Sequence, residues 1–447
     1  MACPPPPPPQ SPGRSHEPAP VAPGPDVLVA GGGLAALCAA LAARRKGARV
    51  WLVDAAPPIL RGGNTRHARN MRVAHDGPSA LVPDAYSVAA FAADLRRADP
   101  AADPALVETL AADSVDLPRW LAGQGVAFQP RADGMIPYSR RTVFLLGGGT
   151  AMVNALYRTA MALGVRVRHD TRVEAVTPEG RVTLRRGEAR STVAAHAVVV
   201  ATGGFQANRR WLAEAFGPDA VGFVNRGTPH ADGALLRALL EAGAAPVGEA
   251  AHAHIVAVDA RSPADDGGIV TRADGMPWGL VLDRDGRPVD DGAHETGSAR
   301  YSAWGRLVAG CPGALAHVIL DAAGVARLGR RVYPPETMPD TDTLARALAL
   351  DPGALAATLD RAGPAGGPPW HVIPIRPGIT FTGLGVRVDA EGRVRDGAGE
   401  TMPGLFAAGM IMAPGVLGGR YLSGTALTIS AVFGRRAGEA AARHAFA

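Results

Sequence analysis

Along residues 26–58, "DVLVAGGGLAALCAALAARRKGARVWLVDAAPP", the pattern of apolar positions changes period twice. Val27 to Ala30 is a short unbroken apolar run and reads as a buried strand, Leu34 to Arg45 reads as a helix, and Ala48 to Val53 reads as a second strand that ends at an acid. Strand, glycine turn, helix and strand in this order make a βαβ unit. Gly31, Gly33 and Ala36 fall on the three small-residue positions of a dinucleotide fingerprint. The first two allow a tight turn and close approach of a pyrophosphate to the backbone, and the helix N-terminus supplies N–H donors and the positive end of its dipole. Asp54, about twenty residues on, is placed to bond ribose hydroxyls.

A second stretch, Val143 to Asp170, repeats the look with an apolar run, Gly147, Gly148 and Gly149, a helix, a strand and an acid. Two readings stand open: a nicotinamide nucleotide site, or a helix over Met152 to Leu163 packed on the first domain, with "VRVRHDTRVEAV" continuing into strands. "AVVVATGGF", Ala197 to Phe205, is a further buried strand with a Gly-Gly turn, and Leu427 to His444 predicts a final helix. Residues 1–25 are proline-rich and are expected to be disordered. No run approaches the ~18 apolar residues of a membrane span, so a soluble cytoplasmic protein is expected.

Composition narrows the chemistry. The 447 residues are 47% hydrophobic, enough for two or three domains with a substantial core. The formal charge is +5 and Lys46 is the single lysine, but the basic residues form no run of five and acids are interspersed, which argues against a nucleic-acid partner. Cys3, Cys38 and Cys311 are too few and scattered for a zinc or iron–sulfur site, so no metal is expected and redox chemistry needs a borrowed cofactor. The densest cationic stretch is "RGGNTRHARNMR", with Arg61, Arg66, His67, Arg69 and Arg72. Cofactor phosphate, an acidic substrate and a solvated face each account for it.

Taken with "GGNT" (Gly62, Gly63, Asn64, Thr65), "ATGGF" and "GLFAAGMIMAPGVLGGRYLSGTALTISAVFGRRAG", the chain resembles the flavoproteins of the fumarate reductase and succinate dehydrogenase family. Within it, "RGGNTRHARN", "GGGTAMVNALYRTA", "RGTPHADG", "VDARSPADDGGIVTR", "ARYSAWGRLVAG" and "RPGITFTGLGVRVD" look like the tricarballylate dehydrogenase subgroup, and the resemblance runs from Asp26 to about His444. It implies an α/β fold in which a Rossmann-like FAD-binding domain (26–247 and 376–447) is interrupted by an α+β capping domain (248–375), with the Val143 to Asp170 unit inside the FAD domain. The proline-rich "GPAGGPPWHVIPIRPG" suits the second boundary. FAD is expected to be noncovalent, because Asn64 stands where succinate dehydrogenases carry the tethering histidine and His67 lies three residues too late.

The resemblance also assigns roles. Thr202, Gly203, Gly409, Ser423, Gly424, Thr425, Ala426 and Leu427 join the fingerprint residues around FAD. Arg300 is expected to exchange the proton, with Asp290 and Asp291 as a relay, while His254, Arg66, His67, Arg69, Thr380, Thr382, Arg376 and Arg420 are candidates for substrate carboxylates. Arg61 and Arg72 at the margins of their stretch suit solvated surface. Met410 replaces the glutamate of the family's "AAGE", and a thioether is no substitute for a carboxylate acceptor. The expected reaction is oxidation of a CH–CH bond in a small polycarboxylate, tricarballylate to cis-aconitate being the named type. Electrons would pass to a separate acceptor, such as a membrane-associated redox protein. Three alternatives remain open: a desaturase of another carboxylated metabolite, a reductase resembling fumarate reductase, and a flavin-binding protein that has lost catalysis.

Overall fold

The computed structural model describes residues 24–131, 141–290, 299–418 and 421–447. Strand β1 (Val27–Ala30) leads through the glycine turn into helix α1 (Leu34–Arg45), and β2 (Val50–Val53) follows. β2 starts later than Ala48 because the Ala48 N–H still donates to Ala43 O in the turn that ends α1. Next come helix α2 (Gly148–Ala162), β3 (Ala197–Val200), the short β4 (Val224–Asn225) and the long β5 (Pro246–Asp259). Helix α3 (Ala299–Ala309), β6 (Trp370–Val386), β7 (Thr401–Ala407) and helix α4 (Thr425–Ala445) complete the elements that build the site.

The first sheet has the order Arg393–Arg395, β7, β3, β1, β2, Arg166–Arg168. β1 runs parallel to both neighbours, with Val27 opposite Ala197 and Val50, and β7 runs parallel to β3. Strands buried on both faces carry apolar runs without alternation, as "VLVA" and "AVVV" do here. A parallel sheet of this kind binds its ligand in the crevice beyond the strands' carboxyl ends, and the turns at Gly31 to Gly33, Gly203 and Gly409 lie there. The fold is thus of the α/β class, with a Rossmann-like parallel sheet at its centre.

Helix α1 is buried along nearly its whole length because α4 covers the face that the sheet does not. The two helices approach closely. A Cβ on Gly434 would stand 2.5 Å from Ala35 O, and one on Gly438 would overlap Ala39 O. The abundance of alanine and glycine therefore serves backbone-to-backbone packing more than aromatic packing.

A second sheet joins β4, β6, Ala316–Leu320 and Leu280–Asp283, with β5 and Glu336–Met338 also paired to β6. The expected limits of the cap, 248 and 375, fall inside β5 and β6, and β6 begins within the proline-rich stretch that suited a boundary. What changes along these strands is the core. Ile255 and Ile379 pack with the flavin-domain cluster, whereas Ala257, Ile373 and Ile375 pack with Trp304, Val308 and Val318 in a separate one.

The second glycine-rich unit is resolved by where its N–H groups go. The Gly149 N–H donates to Ala68 O at 2.7 Å and the Thr150 hydroxyl to Arg66 O at 3.1 Å, so the start of α2 is closed by the chain's own carbonyls. The helix start is thereby packed against the Arg66 to Ala68 backbone, where a nucleotide turn would need open space for a pyrophosphate.

Replacing Gly438 by valine should lower global stability by about 3 kcal/mol, since its side chain has no room between α1 and α4. A denaturant melt of the purified protein measures this.

Candidate functional site

A cleft of about 930 Å³, its open mouth included, lies over the carboxyl end of the parallel sheet. Gly31, Gly33, Asp54, Gly63, Asn64, Thr65, Thr202, Gly203 and Gly409 line it, as the sequence leads one to expect. Gly31 has φ +120°, and a Cβ there would overlap Ala201 O. Gly32 matters as much although the fingerprint ignores it, because a Cβ on it would overlap the Asp54 carboxylate. Asp54 is 6% exposed and burial raises its pKa. Its Oδ2 accepts from the Tyr157 hydroxyl on α2 at 3.2 Å, and its Oδ1 accepts from the Ala56 N–H. Thr65 caps α1 from across the cleft, its Oγ1 accepting the Leu34 N–H at 3.0 Å.

Ala36 and Gly62 serve from behind. Ala36 is fully buried, and Gly62, at φ +104°, leaves the space that Val153 fills. The cleft also holds residues to which the sequence analysis gave no role: Gln206, Arg172, His230 and Asp232, the last two within the quoted "RGTPHADG". The Gln206 side-chain oxygen is buried with no hydrogen-bond partner, so a ligand donor would satisfy it. A glycine cradle, a helix N-terminus, a buried acid and an orphaned acceptor along one cleft fit an extended dinucleotide.

A second cavity adjoins the first and shares Asn64, Thr65, Met410 and Ser430 with it. Ser423, Gly424, Ala426 and Leu427 at the start of α4 line it, while Thr425 is turned inward and fully buried. Asn64 pins the junction: its Nδ2 donates to Thr380 O at 2.6 Å and its Oδ1 accepts the Thr228 N–H at 2.9 Å. Met410 stands at the same junction.

The expected substrate residues divide. His254, His67, Arg69 and Thr380 line the second cavity. Arg66 and His67 both meet Asp266, so the charge of Arg66 is already answered within the protein and His67 is already engaged. Thr382 faces the core, 1% exposed, and its hydroxyl accepts the Phe205 N–H at 3.1 Å. The reason is a bulge: His254 pairs with Phe381 and Ile255 with Ile379, leaving Thr380 without a partner on β5. The extra residue breaks the alternation, so Thr380 and Phe381 both reach the cavity and Thr382 does not. Arg376 lies beyond the cavity's end, where its Nη1 donates to Gly313 O at 3.0 Å. Arg72, expected at the surface, is 3% exposed and bonds Ser423 O and the Tyr86 hydroxyl. Arg61 donates to Asn154 Oδ1.

Arg300, the expected proton partner, does not line the cavity; the next residue does. Neighbours on a helix point about 100° apart, so α3 presents Tyr301 and Ser302 and turns Arg300 aside. Arg300 Nη2 donates to the Tyr301 hydroxyl at 3.1 Å, and the Arg272 guanidinium lies 3.7 Å from the centre of the Tyr301 ring. Asp290 is exposed and lines neither cavity. Asp291 and Arg420 lie outside the described residues. Residues missed by sequence reasoning are Arg226, Arg272, Tyr301, Phe381 and Tyr421. Arg226 and Arg272 did fall in the quoted "RGTPHADG" and "VDARSPADDGGIVTR", but nothing in those strings says which way they point. Among the described residues no group of three His, Cys, Asp or Glu could hold a metal, and no helix is long and apolar enough to cross a membrane.

His254 is packed against Tyr421 and Phe381, ring centres 4.3 and 5.4 Å away, and the uncovered part of its ring faces the cavity. Burial first, then Arg226 and Arg306, push its pKa down to about 3, so the imidazole is neutral. Burial lowers the pKa of His75 and His317 in the same way. Unfolded histidines protonate near pH 6.5 while these stay neutral in the fold, so their contribution to stability is full above about pH 6.5 and is lost as pH falls toward the folded value. The melting temperature should therefore drop on acidification below about pH 6.5, and His254→Gln should make the drop shallower in a pH series of thermal melts.

Residues 26–427 match the family model described as FAD binding domain. The chain is similar to the fumarate reductase (cytochrome) of Shewanella frigidimarina, 26% identical over 452 aligned residues that cover 94% of this chain and 77% of the relative. It is also similar to the L-aspartate oxidase of Mycobacterium bovis, 27% identical over 453 residues that cover 94% of this chain and 74% of the relative. Its fold is similar to the open conformation of a flavocytochrome c3 fumarate reductase, with a TM-score of 0.77, 23% identity, and coverage of 96% of this chain and 79% of that one. The chain belongs to the FAD binding domain family, as an FAD-dependent flavoprotein of the fumarate reductase and succinate dehydrogenase superfamily.

Proposed function

We propose that this flavoenzyme exchanges a hydride and a proton across a CH–CH bond beside the carboxylates of a small polycarboxylate. The observation that carries this reading is the second cavity: it opens onto the FAD cleft, three arginines line it, and among the described residues no Asp or Glu does. Bound FAD supplies the two-electron chemistry, taking up or returning the hydride. The first cleft would hold it through the α1 N-terminus, Asp54 and the Gly31 to Gly33 turn, and the shared residues would lie where flavin meets substrate. With Asn64 engaged by Thr380 and Thr228, and His67 by Asp266, the cofactor is held without a covalent tether.

The proton passes through Tyr301. Arg300 donates to the phenol oxygen, which fixes the side chain and leaves the O–H proton free to be given to substrate carbon in the reductive direction. Oxidation returns the proton by the same route. The role expected of Arg300 thus becomes one of positioning. The similarity to fumarate reductases supports a second reading in which the cellular reaction is reduction of a carbon–carbon double bond. In either direction a separate protein would exchange electrons with the flavin.

The purified protein should be yellow and release its flavin on acid precipitation. Succinate, tricarballylate or a related acid should bleach it anaerobically, or fumarate should reoxidise the reduced form. A protein free of flavin overturns the reading. Tyr301→Phe should lower turnover about 10²- to 10⁴-fold with flavin content unchanged. Arg300→Ala should lose less, and Arg300→Lys should restore most of that loss.

A further inference from the structure

Arg226 differs from every other arginine around the second cavity. Arg66 is paired with Asp266, Arg272 with Asp274 at 3.1 Å, and Arg69 is exposed. Arg226 is 8% exposed, lines the cavity, and among the described residues has no carboxylate within 4.0 Å. Its Nε donates to Gly268 O at 3.2 Å and its Nη1 to the Thr380 hydroxyl at 2.8 Å, both neutral acceptors, while Nη2 has no acceptor among the described residues. A buried guanidinium without a counter-charge is unfavourable by itself. Burial and the nearby Arg272 push its pKa down to about 10.

The surroundings are built to keep this side chain where it is. The Arg226 N–H donates to Ile379 O and its carbonyl accepts the Gly268 N–H, each at 2.9 Å, which ties the end of β4 to two segments at once. The preceding Asn225 donates to Thr228 O at 3.0 Å and to Asp265 Oδ1 at 2.8 Å. Gly378 on β6 leaves the space the side chain runs through, for a Cβ there would come within 2.9 Å of the Arg226 Cδ. Little conformational freedom remains to be lost on binding a ligand, and the planar fork suits a carboxylate.

We propose that Arg226 is the anchor of one substrate carboxylate, bound through the Nη2 edge of its fork and so oriented within the cavity. The proposal rests on the reading of this cavity as the substrate site. A carboxylate supplies the charge that the fold withholds from Arg226, and it discriminates against amides and esters of the same shape, which cannot.

The test uses the FAD-loaded enzyme, with succinate and tricarballylate as probes and succinamide as the neutral control, binding being read from perturbation of the flavin absorbance. Arg226→Gln should raise the acids' Kd by roughly tenfold to a hundredfold and leave succinamide unchanged, and Arg226→Lys should fall between. On the unaltered holoenzyme, succinate should also shield the Arg226 peptide from labelling by phenylglyoxal, a measurement that does not depend on a variant folding. If the unaltered holoenzyme binds neither acid, the substrate reading of the cavity falls and the anchor with it. If it binds them, and Arg226→Gln binds them equally well or succinate fails to shield the peptide, the anchor alone is overturned.

Discussion

Thr380 is where the separate parts of the site are fastened to one another. Its carbonyl takes the amide of Asn64 from the loop beside the FAD cleft, and its hydroxyl takes the guanidinium of Arg226 from the end of β4. Thr380 is the unpaired residue of a bulge between β5 and β6, so its carbonyl is not consumed by the ladder in the regular way and its side chain is turned to the cavity. Two residues on, Thr382 faces the opposite way and fixes the Phe205 backbone behind the Gly203 turn. One extra residue in one strand thus sets the cavity wall, the junction with the cofactor cleft and the backing of the flavin domain.

The fold was legible where a local rule suffices. The sequence from Val27 to Asp54 reads as a βαβ unit because period, glycine spacing and the terminal acid all express contacts made within thirty residues or so. The Gly147 to Gly149 unit shows the limit of that approach. Its string matches a nucleotide turn, and what argues against that reading is a pair of hydrogen bonds to Ala68 and Arg66, more than eighty positions away in the chain.

Site residues were legible for position more than for direction. Arg300 and Tyr301 are adjacent in sequence, and motif reading favours the arginine, yet the helix turns the tyrosine to the cavity. Arg66 and His67 suit anion binding by residue type, but Asp266, two hundred positions later, reaches them first. Arg226 carries the reverse lesson. Its importance comes from the absence of any carboxylate within 4.0 Å of its guanidinium among the described residues, and an absence in space leaves no trace in a motif.

Because β5 and β6 each contribute to both hydrophobic cores, the two cores are joined by an antiparallel ribbon and not by a pair of linkers. Such a ribbon is stiff to stretching and sliding, since either would break several ladder hydrogen bonds together, but it yields to torsion. The softest points are its two register shifts, between Gly248 and Ala253 and between His254 and Ile255. Any relative movement of the two cores would be taken up as twist about the ribbon axis, and the second soft point lies at the wall of the cavity itself. The two cores are thus the ends of one ribbon whose weakest point in the ladder stands beside the residues that line the second cavity.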